Sequence, residues 1–362
     1  MSTFAAGAQP ASAHQTSYVK ACTAGCSPDA PTISSFTAGG NTSLFWNITL
    51  DTGLRPASTS TVEFPPGLFF LLAADRSCLV SNQHTSACDL GGYPAAYTGP
   101  PNATIPLTEY LVPATTAGNL AGIDYVDTQS SVTDAHAEIK VRQLTTGPAI
   151  GQLVTDVLMA LPTTPVDFRD TLKALDTAAD GTLPNGMPFT RMPTGCTPGR
   201  SSLTVAYATQ TVTTYAAPDI DVSSTCASLP YAPEIYGRAK VTGRLSAGAY
   251  SARFTGGERQ KNGEASSRRE TIVMPSDLRP NRTAFARDLG KQVGSAAATS
   301  PVVPGILRAR VFLTGSSSTP ELTLRFQKPF AFALNATLHA SSNTLVFSHM
   351  PDLPTLALHL TL

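Results

Sequence analysis

Charge is what this sequence has least of. Asp, Glu, Lys and Arg make up only 14% of its 362 residues, against roughly 25% in ordinary soluble domains. The 25 basic residues balance the 25 acidic ones, and a chain with no net charge does not gather nucleic acid or anionic lipid by bulk electrostatics. Thr, Ser, Ala, Gly and Pro fill the space left by charge. Such a composition lacks the Glu and Lys of exposed helices and suits short strands joined by tight turns. It points to an all-β protein, and a hydrophobic content of 42% is enough for ordinary cores.

Long apolar runs are missing too. The longest, Leu68-Phe-Phe-Leu-Leu-Ala-Ala74, follows a Pro-Pro-Gly turn and is strand-sized, far short of the ~18 residues of a membrane span. The start of the chain has neither a charged n-region nor an apolar h-region, so no intact signal peptide is expected. Ala11-Ser-Ala13 nevertheless has the small-x-small pattern of a cleavage site; a clipped start and an Ala/Ser-rich tail both fit it.

Catalytic signatures are absent as well. There is no Gly-x-Ser-x-Gly elbow and no phosphate loop, since Leu289-Gly-Lys-Gln-Val-Gly294 is only Gly-rich. His14, His84, His136, His339, His349 and His359 read as exposed loop or strand histidines. Glu63 and Glu138 read as solvated carboxylates on polar strand faces rather than a pair flanking a glycoside cleft. Asp124, Asp127 and Asp134, Asp176 and Asp180, and Asp219 and Asp221 read as turn acids, with a loop calcium site as the lesser alternative. The Arg253–Lys291 stretch, interleaved with Glu258, Glu264, Glu270 and Asp277, reads as a mixed solvated surface. The expectation is no enzyme, no cofactor and no metal. A hydrolase would need His136 or His339 to meet an acid and a nucleophile in a cleft.

What is present begins with six cysteines in three neighbouring pairs: Cys22 with Cys26, Cys78 with Cys88, and Cys196 with Cys226. Many connectivities are open to six cysteines, so pairing by neighbourhood is an inference. Zinc is the rival reading, but Cys22-Thr-Ala-Gly-Cys26 has no second knuckle and no close histidine. The expectation is disulfides, with the Cys196–Cys226 bridge worth roughly 3 kcal/mol through loop entropy. Disulfides place the protein outside the cytosol, extracellular or at the cell surface.

The second positive feature is a doubled pattern. Thr61-Val-Glu-Phe-Pro-Pro-Gly-Leu68 returns as Thr271-Ile-Val-Met-Pro-Ser-Asp-Leu278, Leu120–Thr128 as Leu307–Gly315, and Leu161-Pro-Thr-Thr-Pro165 as Met350-Pro-Asp-Leu-Pro354. Repeated units more often hold or bind than catalyse. The reading is a tail or linker over 1–30 and a first copy over 31–230, with subdomains near 31–115 and 116–230 as an option. A second, cysteine-free copy over 231–362 is shorter, ends near the counterpart of Leu172 and reads as incomplete. Both copies are expected to be antiparallel, Ig-like β-sandwiches.

Period-two alternation marks strands at Ser43–Leu50, Ile123–Arg142, Glu321–Phe326 and Leu356–Leu362, and Trp46, the only tryptophan, is assigned to a core. Leu153–Met159 reads as a strand or a short helix. Residues 78–88 read as a disulfide-closed hairpin, and Thr255–Arg269 as a loop with an Asn262-Gly263 hairpin turn. Residues 89–118 read as a long loop whose Tyr93, Tyr97 and Tyr110 offer a platform for a carbohydrate or other ligand.

Phe64-Pro-Pro-Gly-Leu68, Cys78 and Cys88, the 120–128 strand, the 161–165 turn and Gly195-Cys196 together resemble long secreted or cell-surface repeat proteins of high-GC bacteria. Modules of that family carry a Leu-Pro-x-Gly-Leu … Cys … Cys-Pro signature. The resemblance spans roughly 31–362. Asp89 stands where the family has proline, and the second copy reads Pro275-Ser-Asp-Leu278. The resemblance implies secretion and β modules and carries over no catalytic residue. The expected role is a structural or adhesive surface module; its partners would be other surface proteins or cell-wall glycans, without nucleic acid or a membrane span. A ligand-binding module is the alternative, and a secreted hydrolase the third reading.

Overall fold

Alternating apolar residues build long antiparallel sheets in the computed structural model. It describes residues 17–22, 33, 35–50, 57–91, 95–97, 104–131, 133–161, 174–179, 188–216, 219–244, 250–261, 263–274, 276 and 281–362. The protein is all-β, with 52% strand and 5% helix.

The first half holds β1 (Tyr18–Cys22), β2 (Ser43–Thr49), β3 (Ala57–Glu63), β4 (Phe69–Phe70), β5 (Ala95–Tyr97), β6 (Thr104–Val112) and β7 (Ala121–Asp127). It continues with β8 (Thr133–Gln143), β9 (Leu153–Ala160), β10 (Ala174–Ala179), β11 (Thr190–Arg191), β12 (Ser202–Tyr207), β13 (Thr211–Tyr215) and the single turn α1 (Ser223–Cys226). The second half holds β14 (Glu234–Arg244), β15 (Tyr250–Arg259), β16 (Arg269–Val273), α2 (Arg282–Asp288), β17 (Gln292–Thr299) and β18 (Ile306–Gly315). After these come β19 (Pro320–Lys328), β20 (Phe332–His339), β21 (Thr344–Ser348) and β22 (Ala357–Thr361).

Eleven strands of the first half pair in the order β1-β2-β10-β5-β6-β7-β8-β9-β3-β12-β13, while β4 and β11 form a small separate ladder. The second sheet has nine strands in the order β14-β15-β22-β17-β18-β19-β20-β21-β16. When β1–β3 and β5–β10 are set in chain order against β14–β22, the two strand orders coincide. Each pairing is antiparallel in both halves. The first half then adds β12 and β13 outside β3.

Two of the three sequence matches fall on equivalent strands: Thr61 and Thr271 lie on β3 and β16, while Leu161 and Met350 follow β9 and β21. The third sets β7 against β18, whose counterpart by strand order is β6. Neighbouring strands of a meander share one alternating pattern, so sliding a whole strand leaves the pattern intact.

One face of each sheet encloses a core. Leu44, Trp46 and Ile48 meet Ile123, Tyr125 and Val205 in the first, with Trp46 edge-on to Phe64 at 6.1 Å. β1 lies beside β12 and β13, so the ends of the first sheet meet. In the second, Leu307, Val311, Leu324 and Phe347 pack together, and Phe326 stacks on Phe332 at 4.2 Å. Full burial of a side chain of this size contributes roughly 1.5–3 kcal/mol.

The halves interlock. Phe69, Leu71, Val141 and Leu153 of the first half belong to the second core. The Asp352 carboxylate accepts the Thr194 and Gly195 N–H groups at 2.6 and 2.8 Å. Gly67 faces it with φ +87°, and a Cβ there would lie 2.5 Å from Asp352 Oδ2; only glycine fits. The Gln143 amide pairs with the Ala333 backbone at 2.9 and 3.0 Å, as a strand residue would. Arg191, buried at the same seam, donates to the Glu264 carbonyl at 2.7 Å.

Cys78–Cys88 and Cys196–Cys226 are disulfides. Cys22 is also disulfide-bonded; its expected partner, Cys26, lies outside the described residues. Among the described residues no helix is long and apolar enough to cross a membrane.

Several local expectations need correction. Tyr18–Cys22 is no tail: it pairs with β2, so the first sheet begins before residue 31. Residues 89–118 contain β5 and β6; in β6 the core-facing row Leu107, Glu109, Leu111 is broken by an acid that is itself fully buried, which hid the alternation. The 78–88 segment is a series of turns ending in a 3-10 turn, not a hairpin. Gly263 does not turn a hairpin either, because β15 pairs with β14 and β22 while β16 pairs with β21. Leu153–Met159 is a strand. The sequence reading missed α2, capped by Asn281, whose side chain accepts the Thr283 and Ala284 N–H groups at 3.0 and 3.2 Å.

Candidate binding groove

The nine-strand unit is closed in the first half and open in the second. β12 lies antiparallel along β3, directing Leu203, Val205 and Tyr207 into the core. Covered in this way, Val19 and Ala21 of β1 are each 4% exposed. β14 holds the position of β1, yet every residue from Glu234 to Thr242 is exposed. Ile235 is 81% exposed, and Val273 on the facing strand β16 is 70% exposed. Between β14 and β16 lies a cavity of about 510 Å³ with a floor of Leu324, Phe347, Leu358 and Leu360. Ile235, Ala239, Phe254 and Ile272 form its walls, and Arg238 and Arg269 stand at its rim.

Two acids line this apolar groove. Alternation along β16 turns Glu270 and Ile272 inward and leaves Arg269, Thr271 and Val273 exposed. Glu258, 5% exposed, faces Glu270 from β15. The two carboxyl groups act on each other electrostatically. Burial first, and the neighbouring Glu258 second, push Glu270 up to about 8; burial likewise raises Glu258. Glu270 Oε1 is buried without a hydrogen-bond partner. Ser267 Oγ lies 3.5 Å from Glu258 Oε2 and 2.9 Å from the Tyr231 hydroxyl. The arrangement is an apolar groove that carries two acids in its lining. These acids are therefore not the solvated surface charges expected from sequence, and Glu264 is also buried.

The first half gathers a different cluster. Asp124, His136 and Tyr110 align across β7, β8 and β6. Asp124, 4% exposed, is bonded through Oδ2 to His84 Nε2 at 2.8 Å and through Oδ1 to His136 Nδ1 at 2.6 Å. His136 Nε2 lies 3.2 Å from Glu138 Oε1. That oxygen also accepts the Thr115 and Thr116 N–H groups at 2.8 and 3.0 Å and the Thr115 hydroxyl at 2.5 Å. Gly122 makes room for the ring, since a Cβ there would sit 2.4 Å from His136 Cε1. Burial pushes Asp124 upward, but its hydrogen bonds to His136 and His84 outweigh that and hold it below the usual carboxylate value. The bond to Asp124, and secondarily Glu138, raises His136. Glu138 is pushed up by burial and brought lower overall by Thr115 and His136. Both ring nitrogens of His136 rest on carboxylates, which leaves neither to take a proton from a nucleophile.

His84, His136 and Glu138 are thus members of one ionic network around the buried Asp124: Glu138 is buried and His136 half-buried, where the sequence suggested solvated side chains, while His84 stays exposed as expected. The register of β7 against β8 sets Asp124 beside His136, and the turns of 78–88 carry His84 to the same carboxylate. Glu63 pairs with Arg142. Asp127 accepts the Gln129 N–H at 2.7 Å, Asp221 accepts the Ser223 N–H at 2.7 Å, and Asp219 pairs with Arg200 at 2.5 Å. The Asp134 and Asp176 side chains and Asp180 lie outside the description. His359 accepts or donates a 3.0 Å bond with the Tyr236 hydroxyl. Of the candidate tyrosines, Tyr110 is half-buried and stacks on His84 at 5.0 Å; Tyr97 lies on β5, and Tyr93 is outside the described residues. Among the described residues no three His, Cys, Asp or Glu side chains form a metal-binding group.

No protein-family model matches this chain, and neither a curated protein nor a solved structure matches it.

Proposed function

We propose that this chain is an extracytoplasmic, non-enzymatic structural and adhesive module of the cell surface, built from two related copies of one coiled, Ig-like β-sandwich. The observation that carries this reading is the strand order common to β1–β10, without β4, and β14–β22. Two independent inventions of a nine-strand order are less economical than one duplicated unit. The disulfides Cys78–Cys88 and Cys196–Cys226 support export, because reducing compartments do not sustain such bonds. The seam built by Asp352, Gln143 and Arg191 supports a mechanical role, since it couples the copies instead of leaving them on a free linker. The partners expected of such a module are other surface proteins or wall glycans.

A ligand-binding reading is favoured at one place, the groove between β14 and β16. The test of the main proposal is protease shaving of intact producing cells combined with non-reducing peptide mapping. Release of this chain from the surface, with Cys78–Cys88 and Cys196–Cys226 oxidised, is the expected outcome. A protected, cytosolic chain carrying free thiols would sink the proposal.

A further inference from the structure

We propose that the second half is an acceptor for an amphipathic β-hairpin of a partner polypeptide, which adds to the free edge of β16 and seats alternate apolar side chains in the groove. The same chain supplies the template. In the first half the equivalent edge, β3, is paired with β12, residue for residue from Glu63 with Ser202 to Thr59 with Ala206, and β13 follows outside it. That hairpin is amphipathic: Leu203 and Val205 are buried, and most of β13 is exposed. It also brings the sheet round to β1. Among the described residues nothing pairs with the outer edge of β16, and the cavity occupies the place that the hairpin fills in the first half.

The edge has the chemistry for such an addition. Met274 donates its N–H to the Asn343 carbonyl, on the β21 side, at 3.0 Å. Backbone groups alternate sides along a strand, so those of Arg269, Thr271 and Val273 point away from β21. The first half runs the same way: Phe64 N–H reaches the Thr155 carbonyl on β9 at 2.9 Å, and Glu63 and Thr61 are left to face β12. An added strand would gain main-chain hydrogen bonds from this row and specificity from alternate apolar pockets. The groove asks for the spacing apolar-x-apolar-x-apolar with small residues between, as in Leu203-Thr-Val-Ala-Tyr207. An uncovered, apolar-lined edge of this kind is otherwise an aggregation hazard.

The test uses the full chain and a synthetic peptide of residues 201–216, with a scrambled peptide as control. Saturable binding with a Kd on the order of micromolar is expected, along with at least tenfold slower amide exchange over 269–273. Thr271→Pro removes an outward N–H without touching the β21 ladder and is expected to weaken binding at least tenfold. Unchanged exchange over Thr344–Ser348 would show that the variant keeps β21 in place. If that ladder is lost, Ile235→Lys on the opposite rim serves instead, with the same expected loss. Equal binding of the scrambled peptide, no binding, or undiminished binding by the intact variant overturns the proposal. So does protection of 269–273 by self-association alone, which would make a second copy the occupant. Uptake of dodecanoate without peptide binding would make the groove a small-molecule pocket and overturn it equally.

Discussion

β1 and β14 occupy the same place in the same strand order, and one is buried where the other is exposed. Val19 and Ala21 are hidden beneath β12 and β13, whereas Ile235 and Val241 stand in solvent. The difference does not lie in the strands but in what lies across from them. A nine-strand unit of this order leaves a gap between its first and third strands, and the first half fills that gap with a hairpin. The acids repeat the lesson. Burial pushes the carboxyls of Asp124 and Glu270 upward alike. Two histidines answer it in the first half; in the second the neighbouring Glu258 pushes Glu270 further in the same direction.

The largest way to break the comparison is to unstaple the first half. Cys196→Ala with Cys226→Ala is expected to cost roughly 3 kcal/mol of stability, measured by denaturant unfolding followed through Trp46. The second half should lose less protection, because it reaches the unstapled region only through the seam where Thr194 and Gly195 meet Asp352. Equal loss of protection in both halves would mean that they unfold as one unit.

A smaller effect sharpens the electrostatic contrast. The folded value of Glu270 is raised from 4.5 to about 8, so its protonated form supports folding fully below its unfolded value. That support is lost as pH rises through the folded value. Glu270→Gln should therefore be nearly neutral at pH 4 and stabilise by about 2 kcal/mol at pH 8.5, the interaction with Glu258 limiting the gain. Thermal melts across that range read it; a flat difference would contradict the buried acid pair.

The smallest expected effect is Gly122→Ala. Its methyl group would displace His136 from Asp124, at a cost of about 1–2 kcal/mol. The raised His136 value means that its contribution is complete below the unfolded value of 6.5 and disappears as pH rises through the folded value. The penalty should accordingly be largest near pH 6 and fade in alkali, with the His136 titration followed by NMR.

Much of this architecture was legible in the chain itself. The all-β class, the core position of Trp46 and the strands at 43–49, 121–127, 320–328 and 357–361 follow from composition and alternation, and the two bridged cysteine pairs from neighbourhood. The hidden parts share one cause. Glu109 sits in a core-facing row, Glu270 beside inward Ile272, and Asp124 opposite His136; an acid at a buried position reads as polar until a partner strand gives it a register. Strand order explains the slipped match of β7 with β18 in the same way. The groove had no local signal at all, since it is made by the absence of a neighbour along β16.

The central claim is that one unit is closed in the first half and open in the second. Native-state hydrogen exchange resolved over Tyr18–Cys22, Ala57–Glu63, Glu234–Arg244 and Arg269–Val273 tests it most directly. We expect the first two segments to exchange only with global unfolding of their half, and the last two to exchange at least a hundredfold faster at the amides that face the groove. Equal protection of β14 with β1 and of β16 with β3 would contradict the account.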